Sequence, residues 1–289
     1  MEFVNLKVKM TKHNLKSEKI AVIAGSGKLP QLIINELIKQ KISFIILAIH
    51  ENADEELLRS HKHYLITPGK VKPILKTMSD EKITSVVFAG DIKRPGLLSL
   101  KVDSIGLSVM ARITASKIHG DNSALSIIAK FLEEHGLKVI SPNSILPSLL
   151  TPAGILGKIK PDQDDLKDIE IGKIVLAKLS DMDIGQATIV ENSYVLGIEA
   201  AEGTDSLIKR CADLKRETMR KGVLVKMKKT MQDKRLDLPT IGTNTIDYVY
   251  KANLRGIAVN TNGSIIISLP EVITLADKYG IFVIGVQEI

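Results

Sequence analysis

The sequence predicts an α/β protein with a parallel sheet in its N-terminal half and a mixed α/β domain in its C-terminal half. Short apolar runs alternate with helical patterns up to about residue 140, which indicates βαβ units. Those runs are apolar throughout, as expected for strands that are covered on both faces. In the second half, two runs that flank Glu191-Asn192-Ser193 have the pattern of an antiparallel hairpin.

In the first half, five strands are separated by helices. The predicted strands are Ile20–Ala24, Phe44–Ile49, Tyr64–Ile66, Ser85–Ala89 and Leu137–Ile140. The predicted helices are Leu32–Ile38, Glu55–Arg59, Val71–Met78, Leu107–Lys117 and Ala124–His135. Because parallel strands need a long crossover connection, usually a helix, this order favours a single Rossmann-like parallel sheet.

A cluster of prolines and glycines at Ser141–Lys160 indicates a linker between the halves. We therefore expect a basic extension over residues 1–18, a first domain over 19–145, a linker over 146–160 and a second domain over 161–289. In the second domain the predicted helices are Leu166–Leu179, Ser206–Leu214, Thr243–Lys251 and Glu271–Tyr279. The predicted strands are Ala187–Val190, Tyr194–Glu199, Gly222–Met227, Ile257–Val259, Ile265–Leu269 and Ile281–Val286.

The composition favours anionic ligands and a reducing compartment. The formal net charge of +7 attracts phosphates, nucleic acid or an anionic membrane surface. Nucleic acid is disfavoured, because the chain has no Trp and only five Tyr and five Phe to stack on bases. The single cysteine, Cys211, excludes a disulfide framework and suits the cytoplasm. No apolar run approaches the ~20 residues of a membrane-spanning helix.

A glycine-rich turn, Ala24-Gly-Ser-Gly-Lys-Leu-Pro30, follows the first strand. In a doubly wound sheet such a turn faces the ligand crevice, and the helix start offers free N–H groups to a phosphate. Gly25 and Gly27 would let the phosphate approach the backbone. Pro30 replaces the third glycine of the dinucleotide fingerprint, and a purely structural tight turn explains the pattern equally well.

Two further polar turns end elements of the same half. Gly90-Asp-Ile-Lys-Arg-Pro95 follows a predicted strand, so Lys93 and Arg94 are candidates for phosphate contact, with solvated surface charge as the alternative. Gly120-Asp-Asn-Ser123 opens a predicted helix, where Asp121 either binds a ligand or caps the helix.

The densest charged stretch is Gln232-Asp-Lys-Arg-Leu-Asp-Leu-Pro-Thr-Ile-Gly242. If it is extended, Asp233, Arg235 and Asp237 project from one face, because side chains repeat every two residues. Carboxylates suit a hard cation and a guanidinium suits a phosphate. A charged, solvated loop is the alternative.

Acidic residues also cluster ahead of a predicted helix, at Glu199-Ala-Ala-Glu-Gly-Thr-Asp205. Thr204 and Asp205 are explained if they only cap that helix. Glu199 and Glu202 need another explanation if they are buried.

Taken together, the motifs resemble one family over about residues 19–286. This family is the metal-dependent UDP-2,3-diacylglucosamine pyrophosphatases of lipid A biosynthesis, of the LpxI type, which are unrelated to calcineurin-like phosphoesterases. The motifs that carry the resemblance are Ile23-Ala-Gly-Ser-Gly-Lys-Leu-Pro30, Phe88-Ala-Gly-Asp-Ile-Lys-Arg-Pro95, His119-Gly-Asp-Asn122, Asp183-Ile-Gly-Gln186, Glu199-Ala-Ala-Glu-Gly-Thr-Asp205, Gly222-Val-Leu-Val-Lys226 and Arg235-Leu-Asp-Leu-Pro-Thr-Ile-Gly242.

The resemblance implies hydrolysis of UDP-2,3-diacylglucosamine to UMP and the diacylated sugar 1-phosphate, with Mg²⁺ as cofactor and water attack at the β-phosphorus. It implies a nucleotide-binding first domain, a catalytic second domain and a cleft between them, with Asp237 as the catalytic acid. The chain departs from the family at Asn122, where a second acid is common, and at Thr230-Met231, which replaces a usual Pro-containing pair.

These arguments define three sets of candidate site residues. The catalytic set is Asp237, Arg235, Lys226 and Gln232. The metal set is Asp237, Glu202 and Asp233. The nucleotide- and substrate-binding set is Gly25, Ser26, Gly27, Leu29, Pro30, Gly90, Lys93, Arg94, Gly120, Asp121, Gln186, Thr204 and Thr240.

Two acyl chains need an apolar groove or a membrane, so we expect a cytoplasmic protein in peripheral contact with the inner membrane surface. No nucleic-acid partner is expected, and a homodimer is compatible with the sequence. Two other functions remain open. A nicotinamide-dependent oxidoreductase is favoured by Glu51, which follows the glycine turn at the spacing of a ribose-binding acid. A non-catalytic sugar-nucleotide sensor is the second.

Overall fold

A computed structural model describes residues 15–50, 54–91, 101–118, 124–180, 182, 184–215, 219–229, 233, 235–236 and 238–288. It contains a five-stranded sheet formed by the N-terminal half, a six-stranded sheet formed by the C-terminal half and a small two-stranded sheet. The predicted α/β class, with a parallel first sheet and a mixed second one, is confirmed.

The first sheet is parallel throughout. Its strands are β1 (Lys19–Ala24), β2 (Ser43–Ile49), β3 (His63–Ile66), β4 (Ser85–Ala89) and β5 (Lys138–Ile140). The helices of this half are α1 (Leu29–Lys39), α2 (Glu55–Arg59), α3 (Val71–Asp80), α4 (Ser104–Ile118) and α5 (Ala124–Glu134). The strand order is β3-β2-β1-β4-β5. The order reverses between β1 and β4, so the loops after these two strands lie at the switch point where such sheets bind ligands.

Both faces of this sheet are covered by apolar side chains. Ile20, Val22 and Ala24 of β1 belong to a cluster with α1, which we call the α1-side cluster. Ala21 and Ile23 belong to a cluster with α5 on the opposite face, the α5-side cluster. Successive residues of a strand point to opposite faces, which is why β1 contains no polar residue after Lys19.

The second sheet has the strand order β6-β13-β11-β9-β7-β8. Its strands are β6 (Gly154–Ile155), β7 (Ala187–Glu191), β8 (Tyr194–Ile198), β9 (Val223–Lys226), β11 (Gly256–Asn260) and β13 (Phe282–Val286). The three central strands β9, β11 and β13 are parallel, and β6, β7 and β8 run antiparallel to their neighbours. The predicted hairpin is confirmed, with Asn192 and Ser193 both at positive φ in its turn.

Strand β10 (Thr240–Ile241) and strand β12 (Ile265–Ile266) form the two-stranded parallel sheet. The short helix α6 (Pro142–Ile145) ends the first half, and the helices of the second half are α7 (Gln163–Ser180), α8 (Thr204–Ala212), α9 (Thr243–Lys251) and α10 (Leu269–Tyr279). The predicted strand Ile265–Leu269 is therefore too long: it ends at Ile266, because Ser268 adopts a left-handed conformation and α10 begins at Leu269.

The predicted linker carries structure of its own. Ile145 and Leu149 are buried in the α1-side cluster, whereas β6 pairs with β13 in the second sheet. Between them, the buried Thr151 donates its N–H to Ser264 O at 3.0 Å. The chain thus passes from one half to the other within a few residues around Thr151.

In the part of the chain that the structure describes, none of the helices combines the length and hydrophobicity needed to cross a bilayer.

Candidate active site

The loops after β1 and β4 are hydrogen-bonded to each other at the carboxyl edge of the first sheet. Ser26 N donates to Asp91 O and Asp91 N donates to Ser26 O, both at 2.9 Å. A Cβ on Gly25 would lie 2.3 Å from Asp91 O, and one on Gly90, whose φ is +87°, would lie 2.4 Å from Ser26 O. Both glycines are therefore required by the close approach of the two loops.

Gly27 is different, because its surroundings are open. Its φ of +92° disfavours other residues, but a Cβ there would meet no atom within 4 Å. The adjoining helix α1 begins at Leu29 without a side-chain cap at Lys28 and without an acidic residue in its first turn. Apart from Pro30, which has no N–H, the first residues of the helix can thus donate to an anion, as the phosphate prediction for this turn requires. Leu29 and Pro30 are buried and anchor the helix start.

Lys226 lies at the carboxyl end of β9, in the second sheet. Only 6% of the residue is exposed, and Nζ donates to Thr240 O at 3.0 Å. Thr240 Oγ1 donates in turn to Leu238 O at 3.0 Å. The ammonium group of Lys226 therefore supports the backbone of the segment that contains the charged motif.

Glu199 is a buried carboxylate beside the same sheet edge. Its Oε2 accepts from Gln186 N at 2.9 Å and its Oε1 accepts from Thr204 Oγ1 at 2.7 Å. Gly185 must be glycine, because a Cβ there would lie 2.0 Å from Glu199 O. Gln186 O accepts from Met227 N at 2.9 Å, which joins this group to the residue after Lys226. The structure thus connects the predicted substrate residues Gln186 and Thr204 through a carboxylate.

Glu202, predicted as a metal ligand, is exposed and paired. Its carboxylate accepts from Arg210 Nη2 at 2.8 Å and from Ala200 N at 3.1 Å. The Arg210 guanidinium is the main cause of the lowered pKa of Glu202. The carboxylate therefore fixes the turn before α8.

The charged motif begins with a turn and an ion pair. Asp233 O accepts a hydrogen bond from Leu236 N at 3.0 Å, so the extended geometry that a shared face of Asp233 and Arg235 requires is not present there. Asp233 Oδ2 accepts from Arg235 Nη2 at 2.7 Å, and this guanidinium also pairs with Glu133 of α5. Arg235 is the main cause of the lowered pKa of Asp233. The two charges that were predicted to bind metal and phosphate neutralise each other.

The motif crosses from the first half of the molecule to the second. Leu236 packs against the α5-side cluster, and Leu238 is buried in the α1-side cluster on the other face of the first sheet. Thr240 and Ile241 then form β10, which pairs with β12. The motif is therefore held by both apolar clusters of the first half and by a strand of the second.

Comparison with known proteins decides the family. The model of the LpxI N-terminal domain matches residues 19–149, and the model of the LpxI C-terminal domain matches residues 152–284. The chain belongs to the LpxI family. A curated relative, UDP-2,3-diacylglucosamine pyrophosphatase LpxI of Caulobacter vibrioides, is 32% identical over 274 residues, which cover 93% of this chain and 98% of the relative. The prediction of the family is confirmed.

A solved structure of N5-carboxyaminoimidazole synthase from Aspergillus clavatus, in complex with ADP and 5-aminoimidazole ribonucleotide, is also similar. It is 16% identical and covers 70% of this chain and 45% of that one, with a TM-score of 0.24. No conclusion about the LpxI chain is drawn from a similarity this low.

Several predicted residues of this LpxI protein lie outside the described residues, and their roles stay predictions. They are Lys93, Arg94, Gly120, Asp121, Gln232 and Asp237. Within the described ranges, no group of three or more His, Cys, Asp or Glu side chains is arranged to hold a metal ion. Glu202 and Asp233, the two described members of the predicted metal set, are both paired with arginines. The described residues therefore do not form a magnesium site.

A buried polar group at the end of β11 was not among the predicted site residues. Asn260, Thr261 and Ser264 are all buried, and Ser264 Oγ accepts from Asn260 N at 3.1 Å. The signal was present in the sequence, because Asn-Thr-Asn-Gly-Ser directly follows a predicted buried strand and polar residues at that edge of a parallel sheet face ligands.

Proposed function

We propose that this LpxI protein hydrolyses the diphosphate of UDP-2,3-diacylglucosamine in lipid A biosynthesis, with UMP and 2,3-diacylglucosamine 1-phosphate as products. The observation that carries the proposal is the match to a UDP-2,3-diacylglucosamine pyrophosphatase over 93% of this chain and 98% of the relative. The match spans both halves, so it includes the glycine turn and the charged motif together.

The nucleotide is assigned to the loops after β1 and β4. Gly27 leaves open space beside the uncapped start of α1, so a phosphate can accept N–H donors there and interact with the positive end of the helix dipole. The rigid pairing of Ser26 with Asp91 holds the loop in place before the ligand binds.

The hydrolytic step is assigned to the charged motif. In this proposal Asp237 accepts the proton of a water whose oxygen bonds to the β-phosphorus, as the bridging P–O bond breaks and UMP leaves. Lys226 stabilises the motif through Thr240 O and contributes positive charge beside the phosphates. The ion pair of Arg235 with Asp233 and Glu133 fixes the start of the motif on α5.

Dependence on Mg²⁺ is part of the proposal and is tested directly. The described carboxylates form no set of ligands for the ion. Turnover is expected to stop in EDTA and to return with added Mg²⁺. Undiminished turnover in EDTA would show that hydrolysis does not depend on Mg²⁺.

Peripheral contact with an anionic membrane surface is also proposed, because the substrate carries two acyl chains and the protein carries a net charge of +7. Sedimentation with phosphatidylglycerol vesicles, compared with phosphatidylcholine vesicles, tests this. Equal binding to both would contradict it.

A homodimer stays a prediction that sedimentation velocity can test.

The decisive experiment is turnover of purified UDP-2,3-diacylglucosamine in water labelled with ¹⁸O. We expect UMP without label and a diacylated sugar 1-phosphate that carries one labelled oxygen. Label in UMP would place the attack on the other phosphorus. Tight binding of the substrate without release of UMP would favour a sugar-nucleotide sensor. Thermal stabilisation by NAD but not by UMP would favour a nicotinamide-dependent oxidoreductase.

A further inference from the structure

A group of residues that we call the Lys228 pocket lies at the carboxyl edge of the second sheet, beyond the residues assigned above. Lys228 follows the end of β9, and its side chain is only 9% exposed. Asn260 ends the neighbouring strand β11 and is 1% exposed. Gly263 completes the pocket, because a Cβ there would lie 2.6 Å from Asn260 Cγ and 3.2 Å from Lys228 Cδ.

The Glu288 carboxylate, which follows β13, occupies this pocket. Its Oε1 accepts from Lys228 Nζ at 2.5 Å. It also accepts from Asn260 Nδ2 at 2.9 Å, in the amide orientation that lets Asn260 Oδ1 accept from Thr261 N. The two donor residues are buried, whereas 49% of the Glu288 side chain is exposed. The carboxylate is therefore the member of the pair that solvent and a competing anion can reach.

The pocket is connected to the charged motif. The loop from Asn260 to Ile265 carries Gly263, and its Ile265 N donates to Pro239 O at 2.8 Å. On the other side, Lys226 lies two residues before Lys228 and supports Thr240. An anion in the pocket would therefore lie beside the segment to which hydrolysis is assigned.

We propose that Lys228, Asn260 and Gly263 form a phosphate subsite, and that Glu288 occupies it as an internal anion until a phosphate displaces the carboxylate. The inference rests on the proposed function for the identity of the ligand, which would be a phosphate of the bound substrate or of the sugar 1-phosphate product. Carboxylate and phosphate oxygens accept from the same ammonium and amide donors, and a phosphate carries the larger negative charge. Binding of the phosphate and binding of the Glu288 carboxylate in the pocket are then competing equilibria.

The test uses inorganic pyrophosphate as the probe and calorimetry on the full chain, without turnover. Glu288→Gln removes the competing charge at constant size, and its apparent affinity for pyrophosphate should rise about fivefold to tenfold if the carboxylate occupies the pocket about 80 to 90% of the time. Glu170→Gln is the matched control, because Glu170 is likewise a partly exposed carboxylate, 61% accessible, that pairs with a mostly buried lysine, Lys173 on α7, and its replacement should leave the affinity unchanged.

Lys228→Met should weaken pyrophosphate binding by roughly tenfold or more, since it removes a charge-assisted hydrogen bond. In the Lys228→Met background, Glu288→Gln should no longer increase the affinity, because the two residues act on one pocket. The proposal is overturned if Glu288→Gln binds pyrophosphate no more tightly than Glu170→Gln does. It is also overturned if the gain persists without Lys228.

Because a gain in affinity cannot arise from a misfolded variant, the Glu288→Gln result decides the proposal even if Lys228→Met is unstable. The result is also independent of the reaction. If Glu288→Gln tightens binding but UDP-2,3-diacylglucosamine is not hydrolysed, the subsite stands and the proposed function fails. If the substrate is hydrolysed and Glu288→Gln changes nothing, the function stands and the subsite fails.

Discussion

At the scale of single residues, local hydrogen bonds change what a charged motif can do. Alternating charges in residues 233–237 predict one chemical face, provided that the segment is extended. Asp233 instead accepts from the N–H and guanidinium of Arg235, and a turn forms. Short polar side chains compete with extended structure in this way, and the spacing of residues in a sequence does not show which of these hydrogen bonds will form. The sequence predicted the buried Lys226 as a site residue but could not identify its partner, Thr240 O, 14 residues away.

Asp237 is the residue on which the hydrolytic assignment depends. Asp237→Ala and Asp237→Asn should each reduce turnover by about 10²-fold or more, because a positioned carboxylate is lost. Both variants should keep the melting temperature and the affinity for UMP. Asp233→Asn, which loses only the pair with Arg235, should retain more activity than either. Equal activity of Asp237→Ala and wild type in a UMP-release assay would refute the assignment.

Glu81 provides a test of the electrostatics of the first half. Its carboxylate accepts hydrogen bonds from Lys19 Nζ at 2.8 Å and from Lys62 Nζ at 2.6 Å. It also accepts a hydrogen bond from the hydroxyl group of Tyr64. These hydrogen bonds, Lys19 first, lower the pKa of Glu81 from 4.5 to about 2. Because the folded pKa is lower than the unfolded one, the stabilisation is present above pH 4.5 and is lost as the pH falls from 4.5 through 2.

Glu81→Gln should therefore lower the melting temperature at pH 7, and the difference from wild type should shrink as the pH falls from 4.5 to 2. Glu170→Gln, which removes the charge of a carboxylate that is 61% exposed and has one cationic partner, Lys173, should have a much smaller effect at any pH. Thermal unfolding followed by circular dichroism across this range measures both variants. A difference for Glu81→Gln that stays constant down to pH 2 would show that the carboxylate is not stabilised by its partners.

At the scale of elements, periodicity predicted almost every strand and helix, and failed where elements are short. Strand β6 has two residues, Gly154 and Ile155, inside a Pro- and Gly-rich stretch that predicts a linker. Its pairing with β13 depends on residues more than 120 positions away. The glycine turn after β1 was predicted as a ligand loop, but the need for Gly25 and Gly90 to pack against each other's loops is a tertiary contact.

A substitution at Gly27 shows whether the glycine turn binds the ligand or has only a structural role. Gly27→Val should weaken UMP binding by about tenfold or more, because the side chain would fill the open space beside the helix start. Gly136→Val is the matched control, since Gly136 also has a positive φ and open surroundings but lies after α5. Both variants should lose similar stability from backbone strain. Calorimetry with UMP that gives equal affinities for the two would show the Gly27 turn to be structural.

At the scale of the whole molecule, two segments of the described residues link the two sheets. The first connection passes Thr151, and the second is the charged motif, which contacts both clusters of the first half before it forms β10. Composition predicted the first connection, because prolines and glycines cluster there. The second could not be predicted, because Leu236 and Leu238 look like ordinary apolar residues until the faces of the first sheet are known.

Leu238 should couple stability to activity more strongly than other core residues do. Leu238→Ala and Leu37→Ala both remove a buried leucine from the α1-side cluster, at a cost of roughly 2 to 5 kcal/mol in unfolding free energy. Only Leu238→Ala should also lower kcat strongly, because it loosens the motif that holds Asp237. Urea unfolding and turnover on the two variants measure this. A similar fall in kcat for both variants would mean that the packing of Leu238 does not position the catalytic motif.

If this chain is a diphosphatase whose chemistry depends on the motif between the two sheets, the wild type and Asp237→Ala must differ in turnover. The measurement is release of UMP from UDP-2,3-diacylglucosamine by the two proteins at equal concentration of folded protein. We expect equal amounts of UMP and 2,3-diacylglucosamine 1-phosphate from the wild type, and at least about 10²-fold less from the variant. Folded wild-type protein that releases no UMP, or a variant that releases it as fast as wild type, would contradict the claim.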